Sequence, residues 1–211
     1  MNFVSLSPID SNDVFRAMLQ TLGQPGTIES LTLSNNSQCP TEVALLLSLI
    51  DVETKFAVVS SIPEADQKHW TSLIHAASGA PSAPETQSEW VLSFGEPTID
   101  ILESIPRGTP HRPEMGCRLI IACSEVRSTP QFESLETEEN LTTISLRGPG
   151  IEIENILHVV GISQRFFEVL HDINSSFPAG VDVWLCDKFG NVSAISRSTE
   201  VNVVTTRIGA K

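Results

Sequence analysis

The chain has 211 residues, 40% of them apolar, enough for a sizeable core in one large domain or two small ones. Thirteen Lys and Arg against 26 Asp and Glu give a formal charge of −13, which repels nucleic-acid phosphates and anionic lipid headgroups and argues against direct binding to either. Residues 1–8 have neither a basic start nor a long apolar run, and no stretch approaches the length that crosses a bilayer, so a cytoplasmic protein is expected.

Asp10 is placed to cap a helix in which Val14, Met18, Leu19 and Leu22 recur at helical spacing, and Gly23 with Pro25-Gly26 ends it. A second helix starts near Pro40-Thr41-Glu42 and runs to Ile50; being apolar on nearly every side, it is expected to be buried. Residues 55–59 suit a strand, and Ser61-x-x-Glu64 with Pro63 suits a capping box opening a helix through Trp70, Leu73 and Ile74. A strand over 89–94 and a short helix over 97–104 follow. Residues 108–116, rich in Pro and polar groups, are expected to form a loop before Arg118-Leu119-Ile120-Ile121-Ala122-Cys123, the nearly continuous apolar run of a central strand.

From 124 to 140 the chain is acidic and poor in hydrophobes, which predicts a solvated excursion or, alternatively, a partner-binding tail. Residues 141–147 alternate as a strand and stop at Gly148-Pro149-Gly150. An amphipathic helix over 163–173 carries Phe166, Phe167 and Leu170 as its core stripe. The last third opens with Phe177-Pro178-Ala179-Gly180 and continues as a hairpin, with a further strand near 201–204.

In the hairpin, Asp187-Lys188-Phe189-Gly190 suits a type I turn followed by a left-handed Gly bulge, which places Ile195 opposite Val183. An unbulged loop would shift the pairing by one and bring Arg197 onto the diagonal of Asp182. The bulged register is the one the turn residues favour. Strands interleaved with helices predict an α/β fold, a single layered domain over residues 1–211 with a mixed β-sheet flanked by helices.

Chemistry-bearing patterns are sparse. Cys39, Cys117, Cys123 and Cys186 have no Cys-x-x-Cys spacing and suit reduced, buried thiols. His69, His75, His158 and His171 form no metal-ligand spacing, and His111 sits in a loop where a surface histidine is the ordinary reading and a catalytic base the alternative. No Gly-x-Ser-x-Gly elbow is present. Gly148-Pro149-Gly150 could offer backbone N–H groups to an anion, with Arg147 or Arg197 as clamp, but Pro149 removes one donor and a strand-end turn explains the triplet. Of Lys55, Lys68, Lys188 and Lys211, none is well placed for a Schiff base. Asp182, inside an apolar strand, calls for an internal ion pair or backbone hydrogen bonds, since burying it alone would cost several kcal/mol.

Several segments, taken in order and spacing, resemble one family. They are Phe15-Arg16 with Gln24-Pro25-Gly26, Leu45-Leu46-Leu47 leading to Asp51 and Thr54, Gly108-Thr109 with Pro113-Glu114-x-Gly116, Leu146-x-Gly148-x-Gly150-Ile151, Phe177-Pro178-x-Gly180-Val181-Asp182, and Arg197-x-Thr199. The chain is similar along nearly its whole length to the H subunit of the bacterial carbon–phosphorus lyase system, the PhnH family. It departs at Leu22-Gly23, where members often have Met-Ser, and at Ser196-Arg197-Ser198-Thr199, where they often have Pro-Arg-Thr-Thr.

The resemblance implies a fold like that of pyridoxal phosphate-dependent transferases without the cofactor site, and no cofactor or metal of its own. It implies a non-catalytic subunit, homodimeric when isolated, working with the G, I and J subunits. Together they make α-D-ribose 1-methylphosphonate 5-triphosphate from ATP and methylphosphonate. Its motif residues, Arg16, Pro25, Gly26, Glu114, Gly148, Gly150, Phe177, Pro178, Gly180, Asp182, Arg197 and Thr199, would then form contact surface or brace the loops that do so, with Arg16, Glu114 and Arg197 exposed. A stand-alone transferase holding a phosphorylated ligand at Gly148-Pro149-Gly150 is the alternative.

Overall fold

The computed structural model describes residues 4–34, 39–60, 63–128 and 140–204. Helix α1 (Pro8–Gly23) is capped by Ser7, whose hydroxyl accepts the Asp10 N–H at 3.1 Å, with Pro8 as the first helical residue. Asp10 is therefore not the cap. Its carboxylate accepts from the Ser7 hydroxyl (2.8 Å) and from Ser34 through N–H (3.1 Å) and hydroxyl (2.7 Å), and these bonds hold its pKa below the ordinary carboxylate range.

After β1 (Glu29–Ser30), α2 covers Thr41–Leu47 and ends earlier than its apolar run predicts. Ser48 donates to the Leu45 carbonyl at 2.8 Å, and the Leu49 N–H turns back to Leu46, tightening and closing the last turn. Strand β2 (Phe56–Ser60), α3 (Glu64–Ser78), a 3₁₀ turn (Glu85–Gln87), β3 (Trp90–Phe94) and α4 (Ile99–Ser104) follow the predicted order. Ser61 of the predicted capping box lies outside the described residues, but the box does not form as expected: α3 opens at Glu64 with Pro63 in the cap position and no side-chain cap bond, because an extended Pro63 starts the helix later.

Residues 108–116, expected to be a loop, belong instead to a hairpin, β4 (Arg107–Thr109) and β5 (Arg112–Gly116). Next come β6 (Arg118–Ala122), β7 (Glu125–Arg127), β8 (Leu141–Arg147), β9 (Asn155–Val160), α5 (Gln164–Asn174), β10 (Asp182–Cys186), β11 (Asn191–Ile195) and β12 (Glu200–Val203). Of the segment 124–140, expected to be a solvated excursion, residues 129–139 lie outside the described residues, whereas 125–127 are the strand β7, with Val126 buried in the core.

A six-stranded mixed sheet runs β1-β11-β10-β6-β3-β2, with β2, β3, β6 and β10 parallel and the other two antiparallel. Its inner strands are mostly apolar on both faces, as a covered parallel sheet requires. Val91, Leu119, Ile121, Val183, Leu185 and Ile195 face α4, α5 and a second, antiparallel sheet of order β12-β8-β9-β7. Leu92, Ile120, Trp184, Cys186, Val192 and Ala194 face α1, α2 and α3. Trp184 donates from its indole N–H to the Met18 carbonyl (3.2 Å) and lies 5.6 Å from the Trp90 ring, fastening α1 to the sheet. No described helix is long and apolar enough to cross a membrane.

In the second sheet, His158 of β9 is buried, opposite Arg127 on one side and Thr143 on the other, with its Nδ1 2.9 Å from the Thr143 hydroxyl. Burial first, then the Arg127 cation, pushes its pKa below the ordinary histidine value. A histidine with a lowered folded pKa costs stability once the pH falls below its unfolded value of about 6.5, because the unfolded chain takes up the proton first. Urea unfolding between pH 7 and pH 5 is expected to show a smaller loss of stability in His158→Gln than in the unsubstituted chain; an equal loss would contradict a buried neutral imidazole.

Candidate functional site

Most of the singled-out motif residues gather around the turn that follows β11. Gly190 has φ +86°, its N–H bonds the Asp187 carbonyl (3.1 Å), and Val183 pairs with Ile195, the register of a type I turn with a Gly bulge. The ladder ends at Ile195, and residues 196–199 turn back, with the Thr199 N–H bonding the Ser196 carbonyl at 2.9 Å. Arg197 therefore meets Asp182 from the turn, in the register from which the sequence did not bring them together.

The contact is dense. Asp182 Oδ1 accepts the Arg197 backbone N–H (2.8 Å) and Nε (3.1 Å), while Oδ2 accepts Nε (3.1 Å) and Nη2 (2.5 Å). Both side chains are only 13% exposed, so Arg197 is not the exposed residue expected. A two-pronged guanidinium–carboxylate contact satisfies the acid's lone pairs and offsets its desolvation.

The remaining arm of the guanidinium, Nη1, donates to the Pro113 carbonyl at 2.6 Å, which brings the β4–β5 hairpin to the pair. Gly116 lies so close that a Cβ there would stand 2.4 Å from the Gly180 carbonyl and 2.5 Å from Arg197 Nη1. Gly180, at φ +152°, has the same constraint against Asn174 and donates its N–H to the Arg107 carbonyl (2.8 Å). Asn174, at the end of α5, bonds both the N–H (2.8 Å) and the carbonyl (3.1 Å) of Val181. Phe177 is exposed and Pro178 half-buried in the segment between them.

On the other side of the turn, Gly148 would place a Cβ 2.9 Å from the Ser198 carbonyl, and Gly150 would place one 2.0 Å from the Gly23 carbonyl. Pro25 and Gly26 are buried; the Gly26 N–H bonds the Ala194 carbonyl (3.1 Å) and Asn155 Nδ2 donates to the Pro25 carbonyl (2.7 Å). Thr199 is buried, and the Ser196 hydroxyl lies 2.8 Å from that of Ser198 and 2.9 Å from that of Thr199. Gly148-Pro149-Gly150 is thus a turn packed on two neighbouring loops.

Both arginines proposed as anion clamps have carboxylate partners, since Arg147 Nε and Nη2 reach Glu154 Oε1 at 3.0 and 2.9 Å. Hydrogen bonds from Ser145 and Arg147 hold Glu154 below the usual carboxylate range. Arg16 and Glu114 are exposed: Arg16 borders an open groove of about 280 Å³ with Gln20 and Glu29, apart from the turn, and Glu114 is 3.8 Å from Arg112 on the hairpin. His111 is exposed at the hairpin tip, and Lys55, Lys68 and Lys188 are exposed. All four cysteines are buried and free; burial pushes the Cys39, Cys117 and Cys123 thiols up to about 12 and Cys186 well above its ordinary value. Among the described residues no group of three or more His, Cys, Asp and Glu side chains could hold a metal ion.

Sequence reasoning missed Asn174 and Asn155, and it read Asp187 as a turn residue without its bond to β7. The Asp187 carboxylate is buried and accepts the N–H groups of Phe189 (2.9 Å), Asn191 (3.0 Å) and Val126 (3.2 Å), tying the turn to the second sheet. The polar run after Ile173 was the available signal for Asn174 as a cap to the next segment; Asn155 carried none.

The family described as bacterial phosphonate metabolism protein (PhnH) matches residues 5–202 of the chain. The putative C-P lyase subunit protein HtxG of Stutzerimonas stutzeri is 29% identical over 191 residues, covering 90% of this chain and 84% of that protein.

Arg197→Met leaves Asp182 buried without its cation and is expected to cost about 3 kcal/mol. Arg197→Lys recovers less than half, because a point charge cannot fill both prongs and reach Pro113. Urea midpoints at pH 7 measure this; a loss under about 1 kcal/mol for Arg197→Met, the range of an exposed pair, contradicts the buried brace.

Proposed function

The chain belongs to the bacterial phosphonate metabolism family PhnH, and from that premise we propose that it is a non-catalytic subunit of a carbon–phosphorus lyase assembly. It acts with the G, I and J subunits, in the cytoplasm, in making α-D-ribose 1-methylphosphonate 5-triphosphate from ATP and methylphosphonate, and is a homodimer when isolated. The single observation that carries the reading is the family match across residues 5–202. The name of HtxG, a putative C-P lyase subunit, supports it.

The geometry supports a structural role within such an assembly. Asp182, Arg197, Gly180, Gly148 and Gly150 shape backbone turns, and the cations that would clamp a phosphoryl group are paired with Asp182 and Glu154. The likeness to pyridoxal phosphate-dependent transferases belongs to the same proposal, supported by the mixed sheet with helices on both faces.

Co-expression with the G, I and J subunits is expected to yield one co-purifying assembly that consumes ATP and methylphosphonate, and omission of this chain is expected to abolish that turnover. Undiminished turnover without it, or turnover by the isolated chain, overturns the proposal.

A further inference from the structure

The six-stranded and four-stranded sheets end in β1, β2, β12 and β7. An open edge strand is a template for another chain, and proteins close such edges. Here β1 is only two residues long. At the head of β2, the Phe56 N–H donates to the Pro81 carbonyl (3.1 Å) and the Phe56 carbonyl accepts from Ala83 (2.9 Å), and at β7 the Val126 N–H is taken by Asp187 (3.2 Å). Strand β12 carries neither Pro nor Lys, and its one charge, Glu200, stands at its first residue.

The pairing of β12 with β8 decides which of its backbone groups face outward. The Val204 N–H donates to the Thr143 carbonyl (2.8 Å), with Asn202 opposite Ser145 and Glu200 opposite Arg147. Bonded pairs alternate with non-bonded ones in an antiparallel ladder, so Val201 and Val203 turn their N–H and carbonyl groups away from β8, to the open edge. A groove of about 450 Å³ runs there, between residues 201–203 and Gln164, Arg165, Glu168 and His171 of α5. Val201 is buried in the core, Val203 is half-buried against it, and Val204 is 37% exposed.

The sequence Val201-Asn202-Val203 is the same in both directions. Antiparallel pairing of two copies about Asn202 therefore sets Val201 of each opposite Val203 of the other, where their outward groups exchange hydrogen bonds. It also carries the apolar core across the join and brings the two Asn202 amides face to face, each able to donate and to accept. We propose that β12 is the edge through which two copies of this chain pair, about a two-fold axis at Asn202, joining their four-stranded sheets into one. The inference rests on the homodimer proposed above.

Light scattering over a dilution series of the unsubstituted chain and of Asn202→Lys tests it, together with oxidation of Asn202→Cys. Position 202 is exposed, and circular dichroism equal to that of the unsubstituted chain shows that each variant folds. The unsubstituted chain is expected to be a dimer, with a dissociation constant raised about tenfold or more in Asn202→Lys, where like charges stand directly opposite. Non-bonded antiparallel partners have Cα atoms about 4.5 Å apart, within disulfide reach. Asn202→Cys treated with oxidised glutathione is therefore expected to become a covalent dimer and Glu200→Cys is not, the native cysteines being buried. A dimer that survives Asn202→Lys, or that fails to link through Asn202→Cys, overturns the edge and leaves the homodimer standing. A monomeric unsubstituted chain overturns both. If that monomer recovers the G, I and J subunits and Asn202→Lys does not, the edge takes a strand of another subunit, which equally overturns self-pairing.

Discussion

A carboxylate at the head of the β10 strand, buried to 13% exposure, tolerates that position only because Arg197 surrounds it. The pair spans 15 residues of sequence, and the same guanidinium reaches 84 residues back to Pro113. Three distant parts of the chain are therefore fixed by one cation: the terminal hairpin, the segment entering β10, and the projecting ribbon. Removing either partner leaves the other with a desolvated charge, so the geometry is maintained as a unit.

The glycines follow from that constraint. Gly116 and Gly180 permit two backbones to cross within the reach of the guanidinium, and Gly148 and Gly150 allow the loop after β8 to lie against Ser198 and Gly23. What looked in the sequence like scattered Pro-Gly motifs is a chain of close backbone approaches, Gly148, Gly116 and Gly180 against residues 197–199 and Gly150 against Gly23. Such residues hold shape, and the carboxylates and cations among them are occupied by each other. This is why a role in assembly accounts for the motif string better than chemistry at a Gly-rich anion site does.

The parts legible in the sequence were those governed by local rules. The register of the terminal hairpin followed from Asp187 and Gly190, and the central strand from the apolar run at 118–123, because turn type and covered strands leave direct marks. The Asp182–Arg197 contact was assigned to the wrong register because it is made outside the ladder, by a turn whose path no pairing rule describes. Residues 108–116 looked like a loop since a ribbon with no core face carries no apolar alternation. The β9 strand, a short run with apolar residues on both faces, had no periodicity to separate it from a helix, and Ser7 displaced Asp10 as cap because Pro8 starts the helix one turn earlier.

Hydrogen exchange of Asp182→Asn against the unsubstituted chain, followed by peptide, addresses the central claim most directly. If the ion pair braces these segments, amides in 107–117 and 177–183 exchange about tenfold faster in the variant while those of β3 and β6 keep their protection. Unchanged exchange in both segments, or acceleration spread evenly through the central sheet, would contradict a local brace.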